Sequence, residues 1–269
     1  MRIALLTSQH VPERDSLTRE FLDLLLRWGV HVDDQHAIGC AALGDVAVAY
    51  DLYLLVSPSR ATVSLTAGLA ALGARCLNVP EMVTICRDRI RTLMLLSSAE
   101  IPTPRTWAVG GAEDLIEPLR DGPVVLRPVD VSHSAGTKVL WNVDELIDMP
   151  LPEGETLVQE FSPHDQYAHR VYRIGNQTFA VKRPCWMVFP RGTREEPVPV
   201  TDEMRDIADR VASTFRSELF GLELVGAEGR LQVTGIHPFP RLSGVPDAAL
   251  RLADYIYARG MEIAEEVRR

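Results

Sequence analysis

The chain has 269 residues, 46% of them hydrophobic and 6% aromatic, which is enough for a large core divided among two or three lobes. Its 28 Lys and Arg against 37 Asp and Glu give a net charge of −9, which argues against a general nucleic-acid binder or a membrane-surface protein. The four cysteines form no CxxC pair and are typical of buried small hydrophobes in a reducing compartment. Because no apolar run reaches the length of a membrane span or a signal sequence, the sequence predicts a soluble cytoplasmic protein.

The first 80 residues alternate short apolar runs with stretches of helical spacing. RIALLT, at residues 2–7, is typical of a buried parallel strand, and residues 16–28 have the apolar spacing of a helix that ends at Gly29. Three further strands are predicted at residues 30–32, 51–56 and 74–77, and a second helix at residues 62–72. This order predicts a small open parallel sheet.

The remainder of the chain has a different pattern of predicted elements. DRIRTLMLLSS, at residues 88–98, has helical spacing, and the two prolines of IPTPRTW prevent its continuation. Short β-rich runs then follow closely, namely PVVLRPVD, TKVLW, TLVQEF, HRVYRIG and QTFAVKRP. They predict an antiparallel sheet covered by helices. A helix at residues 202–215, a hairpin through residues 227–229 and a final helix at residues 248–259 complete the predicted elements.

The joint order and spacing of seven stretches resembles the ATP-grasp superfamily over about residues 78–258. These stretches are DRIRTLMLL, IPTPRTW, PVVLRP, LVQEF, HRVYRIG, FGLELVG and HPFPRLSGVP. Within the superfamily the chain is similar to RimK-type ATP-dependent carboxylate–amine ligases and to inositol 1,3,4-trisphosphate 5/6-kinases. The resemblance implies an α/β fold with α+β character in its C-terminal part. A small N-terminal parallel-sheet lobe (1–80) would precede a central lobe (81–157) and a C-terminal lobe (158–269), and these two would sandwich a nucleotide.

The resemblance assigns the contacts with ATP to several segments. Arg127 in VVLRP and Arg89 at the preceding helix stand where the family usually has phosphate-binding cations, and guanidinium groups can fork onto phosphate oxygens. VSHSAGTKVL resembles the small-residue loop over the phosphates, and LVQEF resembles the strand that reads the adenine edge. The residues assigned in these two segments are Ser132, His133, Ser134, Gly136, Gln159, Glu160 and Phe161. Taken alone, the same residues fit a surface arginine, an ordinary turn and an edge strand.

A group of cations is expected on the substrate side. The eleven-residue step from Gln159 to Arg170, with His164 between them, matches the inositol kinases, and Arg170 also fits the Asp-x-Arg zone of RimK-type ligases. The predicted basic cluster comprises Arg170, Arg173, Lys182 and Arg183, with Arg170 and Arg183 as the catalytic candidates. Such a cluster suits a small anionic substrate, a carboxylate or a phosphate, and a solvated positive strand face is the alternative interpretation.

The stretch LQVTGIHPFPRLSGV, at residues 231–245, departs from the family where a metal is expected. The resemblance places three magnesium ligands, usually two carboxylates and an Asn, at Glu223, Gly235 and His237. Gly235 has no side chain, and imidazole is a poor partner for magnesium. The sequence therefore predicts a weakened or altered Mg²⁺ or Mn²⁺ site held by Glu223 and His237. Arg241, in the following turn, is predicted to contact the substrate side and to replace part of the missing positive charge.

Three functions stay open. The preferred interpretation is an ATP-dependent carboxylate–amine ligase that acts on a small anionic substrate through an acyl phosphate, with ATP and Mg²⁺ or Mn²⁺ as cofactors. An inositol phosphate kinase, or a kinase of a related polyol, is suggested by the Asp88–Arg89 pair and by His164. A catalytically degenerate nucleotide-binding scaffold is suggested by Gly235 and His237. No nucleic-acid or membrane partner is expected, and a homodimer is left open.

Overall fold

A computed structural model of the protein describes residues 1–7, 16–36, 46–56, 59–129, 137–146, 156–161, 167–184, 195–227 and 230–268. The first sheet is parallel and has the strand order β2-β1-β3-β4. Its strands are β1 (Arg2–Thr7), β2 (His31–His36), β3 (Leu52–Leu55) and β4 (Cys76–Leu77). The helices α1 (Ser16–Arg27) and α2 (Arg60–Ala71) belong to this region. The parallel sheet predicted for the beginning of the chain is therefore confirmed.

Two helices lead from this sheet to the next one. α3 (Pro80–Arg87) was not predicted from the sequence, although Pro80 at its start and the buried Met82, Val83 and Cys86 are typical of an amphipathic helix. α4 (Arg89–Ser98) begins directly afterwards, and the carboxylate of Asp88 caps it by accepting the backbone N–H of Arg91 at 3.0 Å. The cap fixes where α4 begins, and so it positions Arg89.

The second sheet is antiparallel and has the strand order β5-β8-β6-β7. Its strands are β5 (Thr106–Val109), β6 (Val124–Pro128), β7 (Lys138–Leu140) and β8 (Thr156–Glu160). A 3-10 turn (Ala112–Leu115), the helix α5 (Ile116–Asp121) and a second 3-10 turn (Val143–Leu146) cover one face. Buried Leu115, Leu126, Leu140 and Val158 form the core of this layer.

The third sheet is also antiparallel and has the strand order β11-β10-β9-β12-β13. Its strands are β9 (Tyr167–Ile174), β10 (Gln177–Pro184), β11 (Glu196–Val198), β12 (Leu219–Ala227) and β13 (Arg230–His237). α6 (Asp202–Phe215) has the predicted bounds, whereas α7 (Ala248–Arg268) is longer than predicted. The predicted end of α7 at residue 259 was wrong because the helix continues through Gly260, a residue that costs only about 1 kcal/mol within a helix.

The third sheet is buried on both faces. One face packs with α3, α4 and α6 around Phe220, Leu222 and Val233. The other face shares a core with β1, α1 and α7, in which Phe21, Tyr172 and Leu252 are buried. Because each face has its own core, the side chains of successive residues in one strand pack in different cores. Within the described part of the chain, no helix is long and apolar enough to cross a membrane.

A buried asparagine fixes the end of the first sheet against the third. Asn78 is 2% exposed, and its amide donates to the backbone carbonyl of Leu219 at 2.7 Å and to that of Pro238. Its side-chain oxygen accepts the hydroxyl of Ser217 at 2.8 Å. Pro238 directly follows His237, so this network holds the end of β13 in place.

Candidate functional site

A cleft lies between the second and third sheets. Its polar lining comprises Arg89, Thr92, Thr106, Arg127, Gln159, Glu223, Thr234 and His237. The rest of its lining comprises Cys86, Leu93, Leu96, Leu157, Val233, Gly235 and Ile236. Apolar walls with a few convergent polar groups are typical of a small-molecule site. The cleft joins Arg89, Arg127 and Glu223, which are distant in the sequence.

The two arginines expected to contact phosphates lie together at the end of β6. Arg127 belongs to β6, and its guanidinium donates to the backbone carbonyl of Thr234 in β13 at 2.9 Å, across the cleft. Arg89 begins α4, where its backbone N–H donates to the carbonyl of Val129 at 3.2 Å and its guanidinium donates to the carbonyl of Pro128. The structure thus brings both cations to one cleft, as the sequence predicts.

Strand register places the other charged residues on one face of the third sheet. Glu223 of β12 lies opposite Arg170 of β9 and opposite Gly235 of β13. Its carboxylate oxygen Oε1 is 3.4 Å from Arg170 Nη2, 3.5 Å from Arg183 Nη1 and 3.5 Å from His237 Nε2. One carboxylate oxygen is therefore shared by two guanidinium groups and an imidazole.

This surrounding determines the protonation of Glu223. Burial by itself would raise the pKa of Glu223. The hydrogen bond and charge of His237, followed by the charges of Arg183 and Arg170, oppose that effect and hold the pKa well below its usual range. The carboxylate is therefore ionised at neutral pH.

A second carboxylate, which sequence reasoning missed, reaches the same arginine. Glu195 Oε1 is 3.0 Å from Arg170 Nη1, and both side chains are largely buried, at 17% and 25% exposure. Arg170 Nε is buried and has no hydrogen-bond partner among the described residues. Glu195 could not be found from the sequence because its neighbours, Glu196 and Pro197, follow no pattern typical of a site. Only the fold brings it to Arg170.

The predicted basic cluster is divided between the two faces of the sheet. Lys182 follows Val181 and precedes Arg183 on β10, so its side chain lies on the face opposite Arg183. Its ammonium group is 3.8 Å from the ring centre of Tyr167. Arg173 forms an ion pair with Asp209 of α6 at 2.7 Å. The prediction that four cations converge was wrong because successive residues of a strand point in opposite directions.

The adenine candidates are adjacent but face different ways. Gln159 is buried, lines the cleft and donates to Thr106 Oγ1 at 3.3 Å. Glu160 is exposed and lies outside the described cleft lining, although its backbone N–H donates to the carbonyl of Arg105 at 2.9 Å. Phe161 is buried and packs edge-on against Trp141, with ring centres 5.9 Å apart.

The remaining candidates lie elsewhere. Arg241 lines a separate depression beside α1 and α7, together with Glu20 and Asp23, and the structure does not bring it to the cleft. Arg241 follows His237 by four residues and was therefore expected at the same site, but the chain leaves the cleft after β13. Five predicted residues lie outside the described residues, namely Ser132, His133, Ser134, Gly136 and His164.

The donors present do not fit a magnesium ion. Among the described residues, no group of three or more His, Cys, Asp and Glu side chains could hold a metal ion. Glu223 already faces three cationic or imidazole nitrogens, and Gly235 contributes no donor. Space does not explain Gly235, since a Cβ there would lie 3.6 Å from Glu223 Oε2, an ordinary contact. Hard cations prefer several oxygen ligands, and only one carboxylate is available in this part of the described cleft.

Comparisons with known proteins agree with this architecture. No family model matches the chain. It is 25% identical over 230 residues to a probable alpha-L-glutamate ligase of Haemophilus influenzae (strain 86-028NP), covering 76% of each chain. A RimK domain ATP-grasp protein from Sphaerobacter thermophilus superposes with a TM-score of 0.72 at 18% identity, over 96% of this chain and 100% of that one. The D-alanine–D-alanine ligase of Bacillus anthracis complexed with ATP superposes with a TM-score of 0.74 at 16% identity, over 99% of each chain.

The three sheets and the cleft between the last two have the ATP-grasp fold. In sequence the chain is similar to alpha-L-glutamate ligases, and in fold it is similar to a RimK domain ATP-grasp protein.

Proposed function

We propose that the protein is an ATP-dependent carboxylate–amine ligase that acts on a small anionic substrate. The observation that carries the proposal is the distribution of positive charge around the cleft. Arg89 and Arg127 lie on the wall formed by α4 and β6. Glu223 lies on the opposite wall, and its carboxylate contacts the guanidinium groups of Arg170 and Arg183. Two pairs of cations suit two anions, a nucleotide's phosphates and a carboxylate.

The reaction would proceed in two steps. A carboxylate oxygen of the substrate attacks the γ-phosphorus of ATP, and the bond to ADP breaks to leave an acyl phosphate. An amine then attacks the acyl carbon, phosphate leaves, and the amine loses one proton. Arg89 and Arg127 would hold the phosphates, and Arg170 and Arg183 would orient the carboxylate, so that catalysis comes from positioning and charge neutralisation. The relatives named as glutamate ligases support an acidic amino acid as one substrate.

A second candidate function is nucleotide binding without turnover. The observation that favours it is the engagement of Glu223 by Arg170, Arg183 and His237, opposite a glycine. A scaffold of this kind would bind ATP but release no ADP.

The inositol phosphate kinase interpretation rests on the Asp88–Arg89 pair, on His164 and on the spacing from Gln159 to Arg170. His164 lies outside the described residues, and Arg89 and Arg170 suit a phosphate in either reaction, so the cleft does not favour a kinase.

The test is ADP release by the purified chain with ATP, a panel of carboxylates that includes glutamate, and a panel of amines. A ligase requires ADP release that depends on both a carboxylate and an amine. ATP binding with no ADP release for any pair would instead establish the scaffold. Phosphate transfer to a phosphorylated polyol without an amine would indicate the kinase.

A matched pair of arginine variants locates the site. Arg127→Ala removes a charged donor from the cleft, and such donors contribute about 1.5–3 kcal/mol, so the Kd for ATP should rise roughly 10- to 160-fold. Arg259→Ala removes an arginine of α7 that pairs with Glu262 at 2.7 Å, and it should leave the Kd unchanged. Isothermal titration calorimetry measures both. Equal affinities for the two variants would contradict the assignment of the cleft to ATP.

A further inference from the structure

Guanidinium groups surround Glu223, at the place where the resemblance to the ATP-grasp fold leads us to expect a metal. Two guanidinium groups line the cleft, those of Arg89 and Arg127. Two more contact Glu223, which also lines the cleft, and they belong to Arg170 and Arg183. Among the described residues, Glu223 in the cleft lining faces Arg170 and Arg183, and Glu195 pairs with Arg170. A divalent cation that approached Glu223 would have to displace these two guanidinium groups, whereas a phosphate oxygen would be attracted by them.

The ion pairs around Glu223 are loose enough to admit another partner. Arg170 and Arg183 stand 3.4 and 3.5 Å from Glu223 Oε1, whereas charge-assisted hydrogen bonds between nitrogen and oxygen are about 2.7–2.9 Å long. Arg170 and Arg183 can therefore each turn a guanidinium N–H toward a phosphate oxygen beside Glu223 without breaking a short bond to that carboxylate.

We propose that the cleft binds the phosphates of its nucleotide without a divalent cation. Arg170 and Arg183, which orient the substrate carboxylate in the proposed function, also contact the γ-phosphate that this carboxylate attacks, and they supply there the positive charge that the metal supplies elsewhere in the superfamily. Glu223 then acts as a positioning residue, because its carboxylate holds the two guanidinium groups side by side instead of ligating a metal. Gly235 fits this role, since a carboxylate at residue 235 would compete with the phosphates for both arginines. The inference rests on the proposed function, from which it takes the nucleotide as ligand and the place of the γ-phosphate beside Arg170 and Arg183.

The direct test is calorimetric titration of ATP into the wild-type protein in MgCl₂ and, separately, in EDTA. The Kd should agree between the two conditions within about threefold, a difference well below 1 kcal/mol. Binding that requires MgCl₂ would overturn the inference and leave the proposed ligase standing. Absence of ATP binding in both conditions would overturn the inference and the proposed function together.

A designed variant tests the same point in the opposite direction. Gly235→Glu with His237→Asn provides two oxygen donors beside Glu223, and a Cβ at residue 235 would make only an ordinary contact of 3.6 Å with Glu223 Oε2. ATP binding by this variant should become dependent on MgCl₂ by about tenfold or more, because the added carboxylate neutralises one arginine and supplies a metal ligand. Gly226→Glu, on β12 where a Cβ would be 3.9 Å from Leu231, is the matched control and should bind ATP as the wild type does. Unchanged metal dependence in a double variant with a native circular dichroism spectrum would count against the inference.

Discussion

Asn78 should be a critical residue for the stability of the fold although it lies outside the cleft. Its amide donates to two backbone carbonyls, those of Leu219 and Pro238, and its oxygen accepts the Ser217 hydroxyl. Asn78→Ala removes three hydrogen bonds and leaves buried partners unpaired. A hydrogen bond contributes about 0.5–1.5 kcal/mol and an unpaired buried group costs about 1–3 kcal/mol, so the free energy of unfolding should fall by roughly 2–4 kcal/mol. Urea denaturation followed by circular dichroism measures the change.

Two further variants separate the contacts of Asn78 from its volume. Asn78→Asp keeps the shape but places a carboxylate oxygen against two carbonyl oxygens, and it should destabilise the protein at least as much as Asn78→Ala. Ser217→Ala removes the hydroxyl that donates to Asn78 Oδ1 at 2.8 Å and accepts the backbone N–H of Leu219 at 3.4 Å, and it should cost about 1–2 kcal/mol. If Asn78→Asp proved as stable as the wild type, the amide could not be donating to the carbonyls of Leu219 and Pro238, and the reasoning would be refuted.

Two other predictions concern buried side chains of the core. Leu222 is 0% exposed, so Leu222→Ala should lower the free energy of unfolding, measured by urea denaturation, by about 2–5 kcal/mol. Leu250 is 44% exposed, so Leu250→Ala should change this free energy by less than about 0.5 kcal/mol. Equal effects of the two variants would contradict the assigned core. Burial raises the pKa of the Cys86 thiol to about 12, so the reactive thiolate is rare until the pH approaches that value. Peptide mass spectrometry after alkylation at pH 8 should therefore find Cys86 unmodified in the folded protein and modified in urea, and rapid labelling of the folded protein would disprove this burial.

The sequence by itself determined most of the elements and their order. Helical spacing located α1, α4 and α6, and short β-rich runs located most strands of the second and third sheets, although β5 and β11 were not predicted as strands. These features are local, because the spacing of apolar residues along a single segment indicates whether that segment is a helix or a strand. The resemblance of seven short stretches to ATP-grasp proteins then indicated the ATP-grasp fold, because the order of the stretches can be read directly from the sequence. The presence of Arg89 and Arg127 in one cleft was expected from the same resemblance.

Only the tertiary structure decided which charges meet. Strand register placed Glu223 opposite Arg170 and Gly235, while strand alternation removed Lys182 from the group, and neither can be read from spacing along one segment. The contribution of Glu195 and the departure of Arg241 likewise depend on where distant segments pack. Hydrogen bonding between strands fixes these contacts, and a shift of register by one residue would exchange the two faces of the sheet. The physical reason is that periodicity reports which side of an element is buried, whereas an ion pair depends on the position of a second element.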